Sequence, residues 1–146
     1  MLNSIKFFIR ALIKNYFDLI GNKFSDPYSI HSYSQEGEEM ILRRIFEGKR
    51  RGFYVDVGAH HPRRFSNTYY FYKEGWRGIN IEPNPEALKA FNLDRPKDIN
   101  LQLGVSDVAS ILEYYYFDEP ALNTFDSSVV EERLANTSYK VVKKEG

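Results

Sequence analysis

The chain has 146 residues, 42% of them hydrophobic, with 20 basic and 20 acidic side chains that leave no formal net charge. Such a length makes one domain with room for a core, and a balanced charge gives no global field to draw nucleic acid. With no cysteine, disulfides and thiolate chemistry are excluded, which suits a cytoplasmic protein. The histidines, His31, His60 and His61, lack the spacing of a metal site, so no metal is expected.

Residues 2–20 read as an amphipathic helix. Leu2, Ile5, Phe8, Ile9, Leu12, Ile13, Tyr16, Leu19 and Ile20 share one face, and Asn3, Lys6, Arg10, Lys14 and Asp18 share the other. Charges at this spacing rule out a membrane-spanning helix and interrupt any signal-peptide core. Two readings stay open: a helix packed on the domain or on a partner, and a peripheral membrane helix with its basic residues towards anionic head groups. Gly21 would end it, and residues 22–33, rich in Ser, Asp and Pro, read as a linker.

A second helix is expected over 36–49, with Ile41, Leu42, Ile45 and Phe46 buried and with Glu36, Glu38 and Glu39 complementing the dipole of its first turn. Phe53–Val57 reads as a buried strand that stops at Gly58. Ser66 caps a short helix over 67–74, closed by Gly75. A strand over 78–81 ends at Glu82, and Pro83 keeps that acid extended. Asn84 as N-cap and Pro85 at the first helical position open a helix to about residue 92. Strands follow at 99–103 and 111–117, the second antiparallel or at an edge. Strands alternating with helices in this way imply a parallel, right-handed α/β sheet. Trp76 and Arg77 are expected to brace it.

A strand that stops at a glycine, followed one βα unit later by a strand-end acid, is a way to hold an adenosine-containing cofactor. The glycine admits the ligand to bare backbone, and the acid accepts from ribose hydroxyls. The positions two and five residues after Gly58 are His60 and Arg63, so the three-glycine dinucleotide fingerprint is absent. There is no Walker-type Gly-Lys-Ser either. A nicotinamide-dependent oxidoreductase is therefore disfavoured. S-adenosylmethionine has the ribose and adenine without phosphates, and it needs neither missing glycine.

Four ordered blocks, Ser34-Gln35-Glu36-Gly37-Glu38, Asp56-Val57-Gly58-Ala59-His60-His61-Pro62, Ser66-Asn67-Thr68 and the run from Gly75 to Pro85, resemble the FkbM family of methyltransferases. The resemblance continues through Gly104-Val105-Ser106-Asp107 and covers residues 33–125. It implies an incomplete Rossmann-like class I methyltransferase sheet with helices on both faces, using S-adenosylmethionine to methylate a hydroxyl oxygen of a sugar or other small acceptor. It also implies site roles. Asp56 and Gly58 would line the methionine and ribose part of the cofactor, Glu82 would take the ribose hydroxyls, and Asp107 would sit near the adenine amino group. Asn67 and Thr68 would face the cofactor, or else Ser66 and Asn67 serve to cap the short helix. His60 or His61 is a candidate base for an acceptor hydroxyl, or else a loop histidine satisfied by backbone.

The expected organisation is a helix and linker over 1–32, a partial cofactor-binding domain over 33–126 and a polar tail over 127–146. Family members continue with a strand carrying an Asp-x-Glu-Gly block that has no counterpart after Asn123. The expectation is therefore an open sheet flank, in a gene fragment, a half completed by another chain, or a protein that no longer catalyses.

Overall fold

The computed structural model describes residue 26 and residues 28–145, so the helix read at 2–20 lies outside the described residues. The chain divides into two compact units, 1–31 and 32–146. In the first, Asp26 makes a turn typical of a linker, accepting the Tyr28 amide on its side chain and the Ser29 amide on its carbonyl, both at 2.9 Å.

In the second unit, helix α1 (Glu38–Ile45) starts from Gly37, whose φ of 85° is left-handed. The expected inner face of this helix is corrected by the structure. Ile41 and Ile45 are 67% and 65% exposed, whereas Glu39 is fully buried. The physical reason lies just upstream. The Glu39 carboxylate accepts the amides of Tyr33 and Ser34 and the hydroxyls of Ser32 and Ser34, and pairs with Arg43. Burial raises its pKa, but these hydrogen bonds outweigh burial and hold it below the usual carboxylate range.

Strands β1 (Phe53–Val57), β2 (Arg77–Ile81) and β3 (Ile99–Leu101) form one parallel sheet in the order β1-β2-β3. Helix α2 (Tyr69–Lys73) links the first pair and α3 (Pro85–Asp94) the second. Period-two alternation gives the sheet two unlike faces. Tyr54, Asp56, Asn80 and Asn100 point to one, where they join a polar network around Asp98 and Arg95. Phe53, Val55, Val57 and Ile99 point to the other and are 54–62% exposed.

Local chemistry sets the joints. The Ser66 hydroxyl accepts the amides of Thr68 and Tyr69 at the start of α2. Asn84 caps α3 by accepting the Glu86 amide at 3.0 Å. Trp76 packs at 4.9 Å from Phe71 and 5.3 Å from Phe46, and its indole N–H donates to the Lys49 carbonyl. A β-carbon on Gly52 would collide with the Trp76 ring, so bare backbone is required there.

The chain then leaves the parallel sheet. Strand β4 (Tyr114–Phe117) pairs antiparallel with β5 (Val141–Glu145), with a 3-10 turn (Pro120–Leu122) and helix α4 (Ser127–Asn136) between them. The stretch read as a polar tail is thus a capped helix and a paired strand, with Asp126 accepting the Ser128 amide at 2.8 Å. Among the described residues, no helix is long and apolar enough to cross a membrane.

Candidate functional site

The carboxyl ends of the three parallel strands open into one cleft of about 300 Å³. Val57 and Gly58 come from the end of β1, Ile81 and Glu82 from β2, and Leu103 from beyond β3. This is where open α/β sheets place ligands, because the strand-to-loop turns free their backbone there. The volume falls at the low end of small-molecule sites. Among the described residues that line it, none is Lys or Arg.

Gly58 turns the chain at φ 68°, a left-handed value, and a β-carbon there would meet nothing within 4 Å. Its bareness therefore serves the turn and the open space beside it rather than internal packing. The Gly58 and Ala59 amides both donate to the Ile81 carbonyl, at 3.0 and 3.1 Å, which ties the turn to the end of β2.

Glu82 is held at the centre of this arrangement. It is 4% exposed, and its own amide donates to the Leu101 carbonyl of β3. Oε2 accepts the His60 amide at 2.8 Å and Oε1 accepts the Asn84 amide at 2.9 Å. A carboxylate offers about four acceptor positions, so with the two amides and the Tyr114 hydroxyl in place capacity remains for a ligand hydroxyl. Burial raises its pKa, against the lowering effect of the two amides and the Tyr114 hydroxyl.

Below the cleft lies a buried polar hub. Arg95, fully buried after the last turn of α3, donates to the Pro62 carbonyl, to Ser66 Oγ at 2.6 Å and to Thr68 Oγ1 at 2.8 Å. Thr68 in turn donates to Asp56 Oδ2 at 2.6 Å. Burial raises the Asp56 pKa, while Thr68 and the Arg95 charge act to lower it. Asp56 thus faces Thr68 on the polar side of the sheet and does not line the cleft, though its charge still reaches Glu82.

The remaining sequence candidates separate. His60 lines the cleft at φ 53°, with its ring stacked on Phe65 at 6.1 Å and its Nε2 buried without a hydrogen-bond partner. Burial first, and then the Arg64 charge, depress its pKa and favour the neutral ring. His61 Nδ1 instead accepts the Arg63 and Arg64 amides, both at 3.0 Å, which makes it a loop brace. Asn67 is exposed, and the capping expected of this segment falls to Ser66. Asp107 is exposed, accepts the Ser106 hydroxyl at 3.2 Å and lies outside the cleft lining. The structure therefore gathers Gly58, His60 and Glu82, and leaves Asp56, Asn67, His61 and Asp107 to other surroundings.

Tyr114, whose hydroxyl reaches Glu82, and Phe125 also line the cleft, and sequence reading passed over both. Nothing in the Tyr114-Tyr115-Tyr116 run tells which ring turns inward. Arg95 was missed as well, although an arginine just before Pro96 at a helix end is a weak local signal of a capping role.

The model of the methyltransferase FkbM domain family matches residues 56–145, from the end of β1 through β5. No curated protein and no solved structure matches the chain. The family match takes in the glycine turn, the acid at the end of β2 and the β4–β5 hairpin, which is more than half of the sequence. The chain belongs to the FkbM methyltransferase domain family.

Proposed function

We propose that this chain binds S-adenosylmethionine in the cleft at the strand ends and serves methyl transfer to a hydroxyl oxygen of a small acceptor, a sugar being the leading class. The observation that carries the cofactor reading is Glu82: a buried carboxylate fixed by two backbone amides, with acceptor capacity left in a cleft lined, among the described residues, by no Lys or Arg. A ribose hydroxyl can use that capacity, whereas a pyrophosphate would find neither a lysine nor an arginine among the described lining residues. Gly58 fits the same ligand, because the space beyond its Cα is open.

When bound, S-adenosylmethionine supplies an electrophilic methyl group on a sulfonium. The chain's own residues supply placement. Glu82 holds the ribose and so fixes the ligand along the cleft, and Gly58 lets it approach backbone. Orientation of this kind accounts for much of the rate in a displacement between two held partners. His60, neutral near pH 7 because burial and Arg64 disfavour its cation, is the titratable cleft residue able to take a proton from an acceptor hydroxyl. The sheet and its turns support a Rossmann-like reading of the fold, built on β1, β2 and β3.

Calorimetric titration of S-adenosylhomocysteine into the purified chain, beside Glu82→Ala, tests this directly. Binding by the wild type that weakens at least about tenfold in the variant is expected from the loss of charge-assisted hydrogen bonds. Equal binding by both proteins would remove Glu82 from the site, and tighter binding of NAD than of S-adenosylhomocysteine would overturn the cofactor assignment.

A further inference from the structure

The cleft is lined by two chemically unlike sets of residues. Gly58, His60 and Glu82 contribute backbone and polar groups, Leu103, Val105 and Phe125 contribute apolar ones, and Tyr114 contributes its ring while its hydroxyl reaches Glu82. The Tyr114 and Phe125 ring centroids lie 4.6 Å apart with their planes tilted by 45°, so the two rings pack against each other. Phe125 is half-buried, yet the segment that carries it is fixed on both sides. On one side Thr124 exchanges backbone hydrogen bonds with Tyr115 of β4, at 2.9 and 3.2 Å. On the other, Asp126 caps α4.

Gly104 completes the arrangement. A β-carbon at that position would stand 2.7 Å from Phe125 Cζ, so the ring rests on bare backbone just past β3. A rigid, half-covered aromatic ring facing a cleft is suited to a planar ligand group. The loss of entropy on binding is small when the ring is already in place.

We propose that Phe125, backed by Tyr114 and seated on Gly104, is the stacking surface for the base of the nucleoside whose ribose Glu82 holds. The inference rests on the cofactor reading above and adds to it the element that holds the base. Stacking of a base on an aromatic side chain is strong enough to read in binding, and it tolerates replacement by another flat ring but not by an aliphatic one. Affinity for the base then resides in the segment between β4 and α4, outside the parallel sheet.

The test is titration of S-adenosylhomocysteine and of adenosine into wild type, Phe125→Leu and Phe125→Tyr. Phe125→Leu is expected to weaken both ligands by about 5- to 100-fold, and Phe125→Tyr to bind within about threefold of wild type, as a ring of the same shape would. In the wild type, intermolecular nuclear Overhauser effects should join the adenine H2 or H8 protons to the Phe125 ring, a readout independent of how the variants fold. Wild-type binding of S-adenosylhomocysteine with unchanged affinity in Phe125→Leu, or without those effects, would overturn this inference and leave the cofactor reading standing. No wild-type binding of either ligand would overturn both.

Discussion

The His60 amide donates to Glu82 Oε2 at 2.8 Å, so the turn after β1 directly aims the acid that ends β2. His60 itself turns the chain at a left-handed φ of 53°, a conformation that side chains branched at Cβ resist. His60→Asn should keep the turn, because Asn tolerates this region, and His60→Val should lose about 1–2 kcal/mol of stability. Urea midpoints of the two variants check this. Equal midpoints would show that the turn is not held by its backbone conformation.

The same histidine makes stability depend on pH. Its folded-state pKa lies below the ordinary 6.5, chiefly through burial. In the window between the depressed value and 6.5, the unfolded chain binds the proton and the folded chain does not, so stability rises with pH there. The contribution is fully present above about pH 6.5 and is lost as the pH falls through the folded value. His60→Asn should flatten part of the stability profile below about pH 6.5 relative to wild type. His61, whose pKa burial also depresses, accounts for some of the slope that remains. A profile unchanged by the substitution would show that the His60 ring titrates as freely in the folded chain as in the unfolded one.

Arg95 is the strongest single determinant of the site's shape below the cleft. Its guanidinium gathers the Pro62 carbonyl and the Ser66 and Thr68 hydroxyls, three points on the segment that follows the glycine turn. Arg95→Met would take the donor away from the buried Pro62 carbonyl and from the Ser66 and Thr68 hydroxyls and would strip Asp56 of a nearby positive charge. The expected loss is about 3–5 kcal/mol, as for other broken buried charge networks. Arg95→Lys should recover only part of it, since one ammonium cannot span the fork. Thermal unfolding of both variants decides the matter, and a Met variant as stable as wild type would rule out the hub.

The parallel sheet was legible because its punctuation is local. Gly58 after Val57, Pro83 after Glu82, and Asn84-Pro85 before α3 each act through their own backbone, and the strands and helix fall where those residues put them. The inner face of α1 was not legible, since hydrophobic periodicity favours Ile41 and Ile45 whereas the hydrogen bonds from residues 32–34 draw in Glu39. The site divides along the same line. Gly58 and Glu82 sit at strand ends, which sequence marks. Tyr114, Phe125 and Arg95 acquire their places from contacts across 15 to 33 residues of chain, such as Arg95 with Asn80 and Pro62, and no short pattern encodes those.

Gly78 offers a last test, of the register between β1 and β2. It faces Tyr54 in the sheet, and a β-carbon there would collide with both the Tyr54 ring and the Tyr54 carbonyl oxygen. The ring is not free to yield, because its hydroxyl donates to Asp98 Oδ2 at 2.5 Å while the Gly78 amide donates to Asp98 Oδ1 at 3.0 Å. One carboxylate therefore clamps both strands at the point of contact. Gly78→Ala should cost about 1–3 kcal/mol or more, the range of overpacking in a closed site. Adding Tyr54→Ala removes the ring but not the carbonyl, so the double variant should remain well below Tyr54→Ala alone in urea midpoint. If alanine at 78 had no effect once the ring was gone, the clash would lie with the side chain only. The strands would then have room to separate without losing their pairing.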